Sequence, residues 1–250
     1  VDSVTLIKTI NGGISWNFVY SGSNIKNSTL YFFSNRTGFA FRKLNNSLYS
    51  NAILKTTSGG TNWITVYEDS TFLINSIQFV NQLTGFAAGS QYVGYNHTKL
   101  IKTTNGGISW DSLQVSFLFN YPKVHFLNEN RGYLFGNLSG YNSKVYETTN
   151  GGINWNLLNY NWGQNVKQIQ FLDQQNGFLL AYFKIFKTTD SGVDWKPFPI
   201  NFDPINQSST IDEINFLDMN TGFAIGSGGK IIKTTNSGLN WELQTRGYNL

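Results

Sequence analysis

A nine-residue box ending in tryptophan returns six times along the 250 residues of this chain. It runs Lys8–Trp16 (KTINGGISW), Lys55–Trp63 (KTTSGGTNW), Lys102–Trp110 (KTTNGGISW), Glu147–Trp155 (ETTNGGINW), Lys187–Trp195 (KTTDSGVDW) and Lys233–Trp241 (KTTNSGLNW). Successive tryptophans stand 47, 47, 45, 40 and 46 residues apart. Upstream of the last five boxes a second pattern, Phe-x-(Ser/Asn/Asp)-x-x-x-Gly-(Phe/Tyr), keeps the same step. It spans Phe32 to Phe39, Phe79 to Phe86, Phe126 to Tyr133, Phe171 to Phe178 and Phe216 to Phe223. Two motifs repeating together at this period mark an array of sequential supersecondary units.

Each unit holds four short β-prone runs separated by turn residues. In the second complete unit these are Ser76–Phe79, Gly85–Ala88, Lys99–Lys102 and Trp110–Leu113, here called strands A to D. Apolar residues do not recur at the helical spacing near 3.6, which excludes a helical solenoid. A sandwich of the immunoglobulin kind would not repeat its sequence. The pattern predicts an all-β fold, a β-propeller of four-stranded antiparallel blades, six in number with seven as the alternative. Residues 1–250 are read as one domain: a half blade at 1–20 and full blades at 28–67, 74–115, 122–158, 166–198 and 211–245. The half blade supplies strands C and D alone. We therefore expect a longer chain or a partner subunit to supply its missing strands, since propellers close their blades and leave few open edges.

The box has a physical logic. The Asn, Asp or Ser after strand C (Asn11, Ser58, Asn105, Asn150, Asp190, Asn236) sets a turn by hydrogen-bonding the backbone just ahead of it. The glycine two places on takes a positive φ that a Cβ would resist. Trp16, Trp63, Trp110, Trp155, Trp195 and Trp241 then fold back over their hairpins, so the boxes are read as structural. Five boxes open with lysine (Lys8, Lys55, Lys102, Lys187, Lys233), read as a solvated strand face. Exposed together, these lysines would form a basic rim suited to an acidic protein partner.

With those residues in view, the box T-x-(N/D)-x-G-x-(S/N/D)-W resembles the Asp-box, or BNR, repeat of sialidases, sortilin-type receptors and secreted bacterial proteins. Together with the G-F-A-x-G element at Gly85–Gly89 and Gly222–Gly226, it looks most like the photosynthesis-assembly-factor (YCF48-like) propeller family and related secreted bacterial propellers. The resemblance implies the propeller fold and a place outside the cytoplasm: secreted, cell-surface or periplasmic. It also implies a photosystem-type assembly factor as one alternative function. Only Asp190 keeps the family's aspartate; four boxes carry Asn and one carries Ser58. The arginine triad of sialidases is not carried over, because Arg36, Arg42, Arg131 and Arg246 do not fall at three equivalent repeat positions.

Chemistry is sparse in the sequence. The net charge of +4 comes from scattered Lys and Arg with no basic run, so nucleic acid is not an expected partner. No apolar stretch is long enough for a membrane-spanning helix. There is no Cys and there are only two His, which leaves no metal site and no cofactor to expect. His125 holds a strand position filled by Gln78 and Gln170 in sister repeats and reads as structural. The acidic pairs Glu68-Asp69 and Asp212-Glu213 are the starting points for a glycoside-hydrolase reading, the enzymatic alternative.

The loops carry more. In a propeller the D–A and B–C connections share one face and the boxes lie on the other. Here those connections are rich in Tyr and Asn with little charge: Tyr49, Tyr92, Tyr95, Asn96, His97, Tyr141 and Asn142 in B–C loops, Tyr160 and Trp162 in a D–A connection. Aromatic rings with amide groups suit sugar faces, and equally suit protein partners anchored by Tyr and Trp. The expected function is that of a non-catalytic binding or scaffolding propeller contacting protein or glycan through this face.

Overall fold

The computed structural model describes residues 4–22, 30–43, 51–93, 95–138, 143–160, 162, 165–181, 184–199, 211–227 and 229–245. Among them every regular element is a strand. β1 (Val4–Lys8) and β2 (Asn17–Gly22) form a two-stranded antiparallel sheet. Five four-stranded sheets follow, each a meander in chain order. The first contains β3 (Tyr31–Phe32), β4 (Gly38–Lys43), β5 (Asn51–Thr56) and β6 (Ile64–Asp69). The second contains β7 (Phe72–Phe79), β8 (Gly85–Val93), β9 (Tyr95–Thr103) and β10 (Asp111–Leu113). The third contains β11 (Asn120–Phe126), β12 (Gly132–Asn137), β13 (Ser143–Thr148) and β14 (Asn156–Leu157). The fourth contains β15 (Gln168–Phe171), β16 (Gly177–Ala181), β17 (Lys184–Thr188) and β18 (Lys196–Pro199). The fifth contains β19 (Ile211–Phe216), β20 (Gly222–Gly226), β21 (Lys230–Thr234) and β22 (Glu242–Thr245).

The chain divides into two compact units, Val1–Leu134 with Thr148–Trp155, and Phe135–Glu147 with Asn156–Leu250. In the first unit the buried core is built from Phe39, Phe41, Ile53, Phe72, Ile77, Phe79 and Ile101, with Trp110 at its edge. In the second it is built from Phe178, Leu180, Ile185, Ile214 and Phe216.

The Phe-x-x-x-x-x-Gly-Phe pattern has a steric cause. The glycine starts strand B directly beside the strand-A phenylalanine of its own sheet. A Cβ on Gly38 or Gly85 would stand 2.7 Å from the ring of Phe32 or Phe79, closer than carbon atoms approach. The phenylalanine after that glycine reaches the following sheet. Phe39 stacks on Phe79 with centroids 4.3 Å apart, Phe86 on Phe126 at 3.5 Å and, in the second unit, Phe178 on Phe216 at 3.6 Å.

In three blades the residue before the strand-A phenylalanine stitches neighbouring sheets together. Gln78 donates from Nε2 to the carbonyl of Phe126 at 3.0 Å and accepts its amide at 2.7 Å. Gln170 does the same with Phe216, both bonds at 2.9 Å. Tyr31 sends its hydroxyl to the carbonyl of Phe79 at 3.0 Å. His125 occupies this same position in β11, and burial holds its imidazole pKa down to about 4, so it is neutral in the fold.

In each box the hub is a threonine whose role the sequence did not disclose. Thr56, Thr103, Thr148, Thr188 and Thr234 are buried. Thr188 Oγ1 donates to Asp190 Oδ1 at 2.8 Å and accepts the Gly192 amide at 2.8 Å. Asp190 Oδ1 in turn accepts the Asp194 amide at 3.0 Å. Asn11, Asn105, Asn150 and Asn236 close the same ring of bonds with their amide oxygens, and Ser58 with its hydroxyl. Gly192 takes φ 81°, and its counterparts are also positive. The tryptophan sets its face against the edge of the strand-A phenylalanine of its own sheet, as in Phe79–Trp110 (5.8 Å, 81°) and Phe171–Trp195 (5.7 Å, 83°).

The box lysines differ from the solvated face expected of them. They are half-buried, with Lys8 Nζ donating to the Asn35 carbonyl at 2.9 Å and Lys55 Nζ to the Gly106 carbonyl at 2.6 Å. Their ammonium groups also lie 5.1–5.9 Å from phenylalanine rings: Lys55 on Phe39, Lys102 on Phe86, Lys187 on Phe178 and Lys233 on Phe223. Each pair faces across strands B and C. A long aliphatic stem with one strong donor suits this bridging task.

Candidate binding face

The stretch Gln91–His97, read from sequence as a loop, is a continuation of the β8–β9 hairpin. The ladder runs without interruption from Gly85↔Thr103 to Val93↔Tyr95. Among the described residues, nine per strand make this hairpin longer than its counterparts in the other sheets. The cause is local: Gln-Tyr-Val and Tyr-Asn-His-Thr are both β-compatible runs. Tyr92 pairs with Asn96 and Gln91 with His97 in the register. Tyr92 is half-buried and His97 exposed.

Beneath these residues lies a charged cluster that sequence reasoning missed. Asp69, at the end of β6, receives Lys99 of β9 at 2.5 Å on Oδ2. Its Oδ1 accepts both the amide and the hydroxyl of Thr71 at 2.8 Å. The Tyr67 hydroxyl donates to Asp69 Oδ2 at 3.3 Å, and Lys99 Nζ stands 5.3 Å from the Phe72 ring. Gln91 Nε2 donates to Thr71 Oγ1 at 3.3 Å, and the Tyr92 amide to the Thr71 carbonyl at 2.8 Å, which fastens the hairpin to the cluster. Burial pushes the Asp69 carboxyl up, but hydrogen bonds from Lys99 and Thr71 outweigh it and hold the group below its ordinary pKa. Burial pulls Lys99 down, but Asp69 and Tyr67 beside it together outweigh this, so its pKa is raised. Tyr67 is raised by burial. All three keep fixed protonation states near neutral pH. The only sequence signal for the cluster was Glu68-Asp69; the lysine lies 30 residues on, across two strands.

The other expected contact residues fare differently. Trp162 is a correction: its ring is 2% exposed. It packs 5.2 Å from Phe186 and 6.0 Å from Trp195, and 5.0 Å from Tyr160. Tyr160 is a second correction. Its hydroxyl donates to the Val193 carbonyl at 2.9 Å and to Asp194 Oδ1 at 3.2 Å, which attaches it to a box turn and away from the loop face. Tyr49, Tyr141 and Asn142 lie outside the described residues. Tyr95 and Asn96 contribute their backbone to β9, and their side chains are outside the description.

The second acidic pair is also engaged. Lys167 Nζ donates to Asp212 Oδ1 at 2.7 Å and to the Ile211 carbonyl. Among the described residues no group of three His, Cys, Asp or Glu is placed to hold a metal ion. No helix is long and apolar enough to cross a membrane.

Comparison with solved structures finds the same architecture elsewhere. A structure of YCF48 bound to D1 peptide superposes with a TM-score of 0.60 at 18% identity, over 88% of this chain and 70% of that one. YCF48 from Cyanidioschyzon merolae gives 0.50 at 15% identity, over 91% and 90%. The GH74 enzyme of Niastella koreensis gives 0.62 at 13% identity, over 84% of this chain, which spans 36% of the enzyme's length. This chain has a β-propeller fold. Its blade count is about six, one two-stranded and five four-stranded. No protein-family model matches the sequence, and no curated protein matches it.

Proposed function

We propose that this propeller is a non-catalytic binding module that docks a protein segment against the projecting β8–β9 hairpin. The observation that carries the reading is the hairpin itself. Among the described residues it extends beyond the strand lengths of the other blades, carries Tyr92 on one face and His97 on the other, and is braced by the Asp69–Lys99 pair. A rigid, pre-ordered aromatic strand end loses little entropy on docking, which is what an anchor residue needs. A similar fold carrying a bound D1 peptide supports a protein ligand. The Lys99 and Thr71 hydrogen bonds that hold Asp69 below its ordinary pKa support a non-catalytic role, since a carboxyl held ionised cannot serve as a general acid. Its location, by resemblance to secreted bacterial propellers, is outside the cytoplasm.

A peptide array and a glycan array probed with the purified chain and with Tyr92→Ala/His97→Ala test the proposal. Selected peptides should bind the parent chain and lose at least tenfold in affinity on the double variant. Binding confined to glycans, or hydrolysis of a polysaccharide, would replace it with the carbohydrate-active reading, which rests on fold likeness to the GH74 enzyme.

A further inference from the structure

Two junctions between sheets of the first unit are built from equivalent residues, and one of them is bridged where the other is open. Asn81, two places after Phe79, accepts the amides of Leu83 and Thr84 on Oδ1 at 2.9 and 2.8 Å, which sets the turn between β7 and β8. Its Nδ2 is left over, and donates across the junction to Glu129 Oε1 at 2.5 Å. Ser34, two places after Phe32, sets the turn between β3 and β4 in the same manner. Its Oγ accepts the amides of Arg36 and Thr37 at 3.2 and 3.0 Å. Serine has no second arm to send across. Gln82 stands where Glu129 stands in the next repeat. Ser34 and Gln82 line one cavity, and among the described residues no hydrogen bond joins them.

That cavity measures about 220 Å³ and is bordered by residues between Phe33 and Gly106, so neither chain end touches it. Phe39 and Phe79 floor it, and Lys55, Thr37, Thr57 and Gln82 stand around it. Lys55 Nζ gives one proton to the Gly106 carbonyl at 2.6 Å and lies 5.9 Å from the Phe39 ring centre. An ammonium group has three protons to give. Among the described residues no carboxylate pairs with Lys55, and no Asp or Glu lines the cavity. The hydroxyls of Thr37 and Thr57 and the side-chain amide of Gln82 likewise have no hydrogen-bond partner among the described residues. A cation ringed by neutral donors above an apolar floor complements a carboxylate carried on a compact apolar body. An apolar cavity of roughly 150 Å³ admits benzene, so this one has room for a ring with a carboxylate attached. We infer that this junction binds a small organic acid, its carboxylate on Lys55 and its body toward the phenylalanine floor. The sister junction has Lys102 in place of Lys55 but brings its own carboxylate, Glu129, tied down by Asn81. The site does not depend on the function proposed for the β8–β9 hairpin.

Benzoate is the probe, titrated into the isotopically labelled chain and followed by proton–nitrogen correlation spectra. The amides of Thr57 and Gly106 should move saturably, with a Kd of roughly 1 mM or lower, as suits so small a ligand. Benzamide, the neutral isostere, should bind at least tenfold more weakly. Ser34→Asn keeps the turn and offers Gln82 the missing bridge, so it should weaken benzoate at least tenfold while Tm holds. Lys55→Met, which keeps the aliphatic stem, should do the same to binding, and Lys102→Met should leave it unchanged. Asn81→Ser/Glu129→Gln should open the sister junction and add a second set of moving amides, at Thr104 and Gly151. No saturation at tens of millimolar benzoate, equal binding of benzamide, or full binding by folded Ser34→Asn or Lys55→Met protein would overturn the inference.

Discussion

The hydroxyl of Thr103 accepts the amide proton of Gly107 across 2.9 Å inside the box turn, with no solvent access to either. The same hydroxyl donates to Asn105 Oδ1 at 2.9 Å, so one oxygen joins the turn-setting side chain to the buried glycine amide. Thr103→Val keeps the shape and removes both bonds. A buried amide left without a partner costs roughly 1–3 kcal/mol, and urea denaturation should show a loss of about 2 kcal/mol. Thr103→Ser should lose under about 1 kcal/mol.

Four boxes place glycine at the first left-handed position of the turn, and two place serine there. Ser191 has φ 66° and Ser237 φ 65°, where Gly106 has 71°. A side chain in this region costs about 1 kcal/mol, partly offset by the extra freedom glycine has when unfolded. Ser191→Gly should therefore stabilise the protein by about 0.5–1 kcal/mol, visible as a rise of a few degrees in Tm.

His125 gives the fold an acid limit. Its folded pKa of about 4 lies below the 6.5 of the free side chain, so the unfolded chain binds a proton that the folded one refuses. Stability from this group is whole above pH 6.5 and declines as pH falls toward 4, by on the order of 2–3 kcal/mol in all. His125→Gln installs the residue found at positions 78 and 170. It should flatten the pH 4–6.5 segment of a stability profile measured by denaturant midpoints.

Trp162 and Tyr92 should separate core from surface. Trp162→Ala removes a ring buried against Phe186 and Trp195 and should cost about 3–5 kcal/mol. Tyr92→Ala should cost under about 1.5 kcal/mol and change binding instead. Calorimetry on both variants, beside the peptide array, reads the difference.

The repeat was legible because its motifs answer steric demands that recur in each blade. The strand-B glycine beside its strand-A phenylalanine, the turn-setting Asn or Asp and the tryptophan are each dictated within one sheet, so they leave a periodic trace. What the sequence concealed lies between sheets or between distant strands. The Lys8–Asn35 bond joins residues 27 apart, and Lys99 meets Asp69 across two strands. Nothing in either local neighbourhood announces the partner. Trp162 misled for a related reason: its depth depends on Phe186 and Trp195, which are 24 and 33 positions downstream. The β8–β9 extension was hidden because Tyr, Asn and His serve a loop as readily as an exposed strand.

Gln78 grips the main chain of Phe126, and Gln170 that of Phe216, through an amide that imitates a peptide group. Such a grip is indifferent to the identity of the side chains on the adjoining strand. The two blades joined this way can therefore diverge in their side chains while the seam between them stays closed.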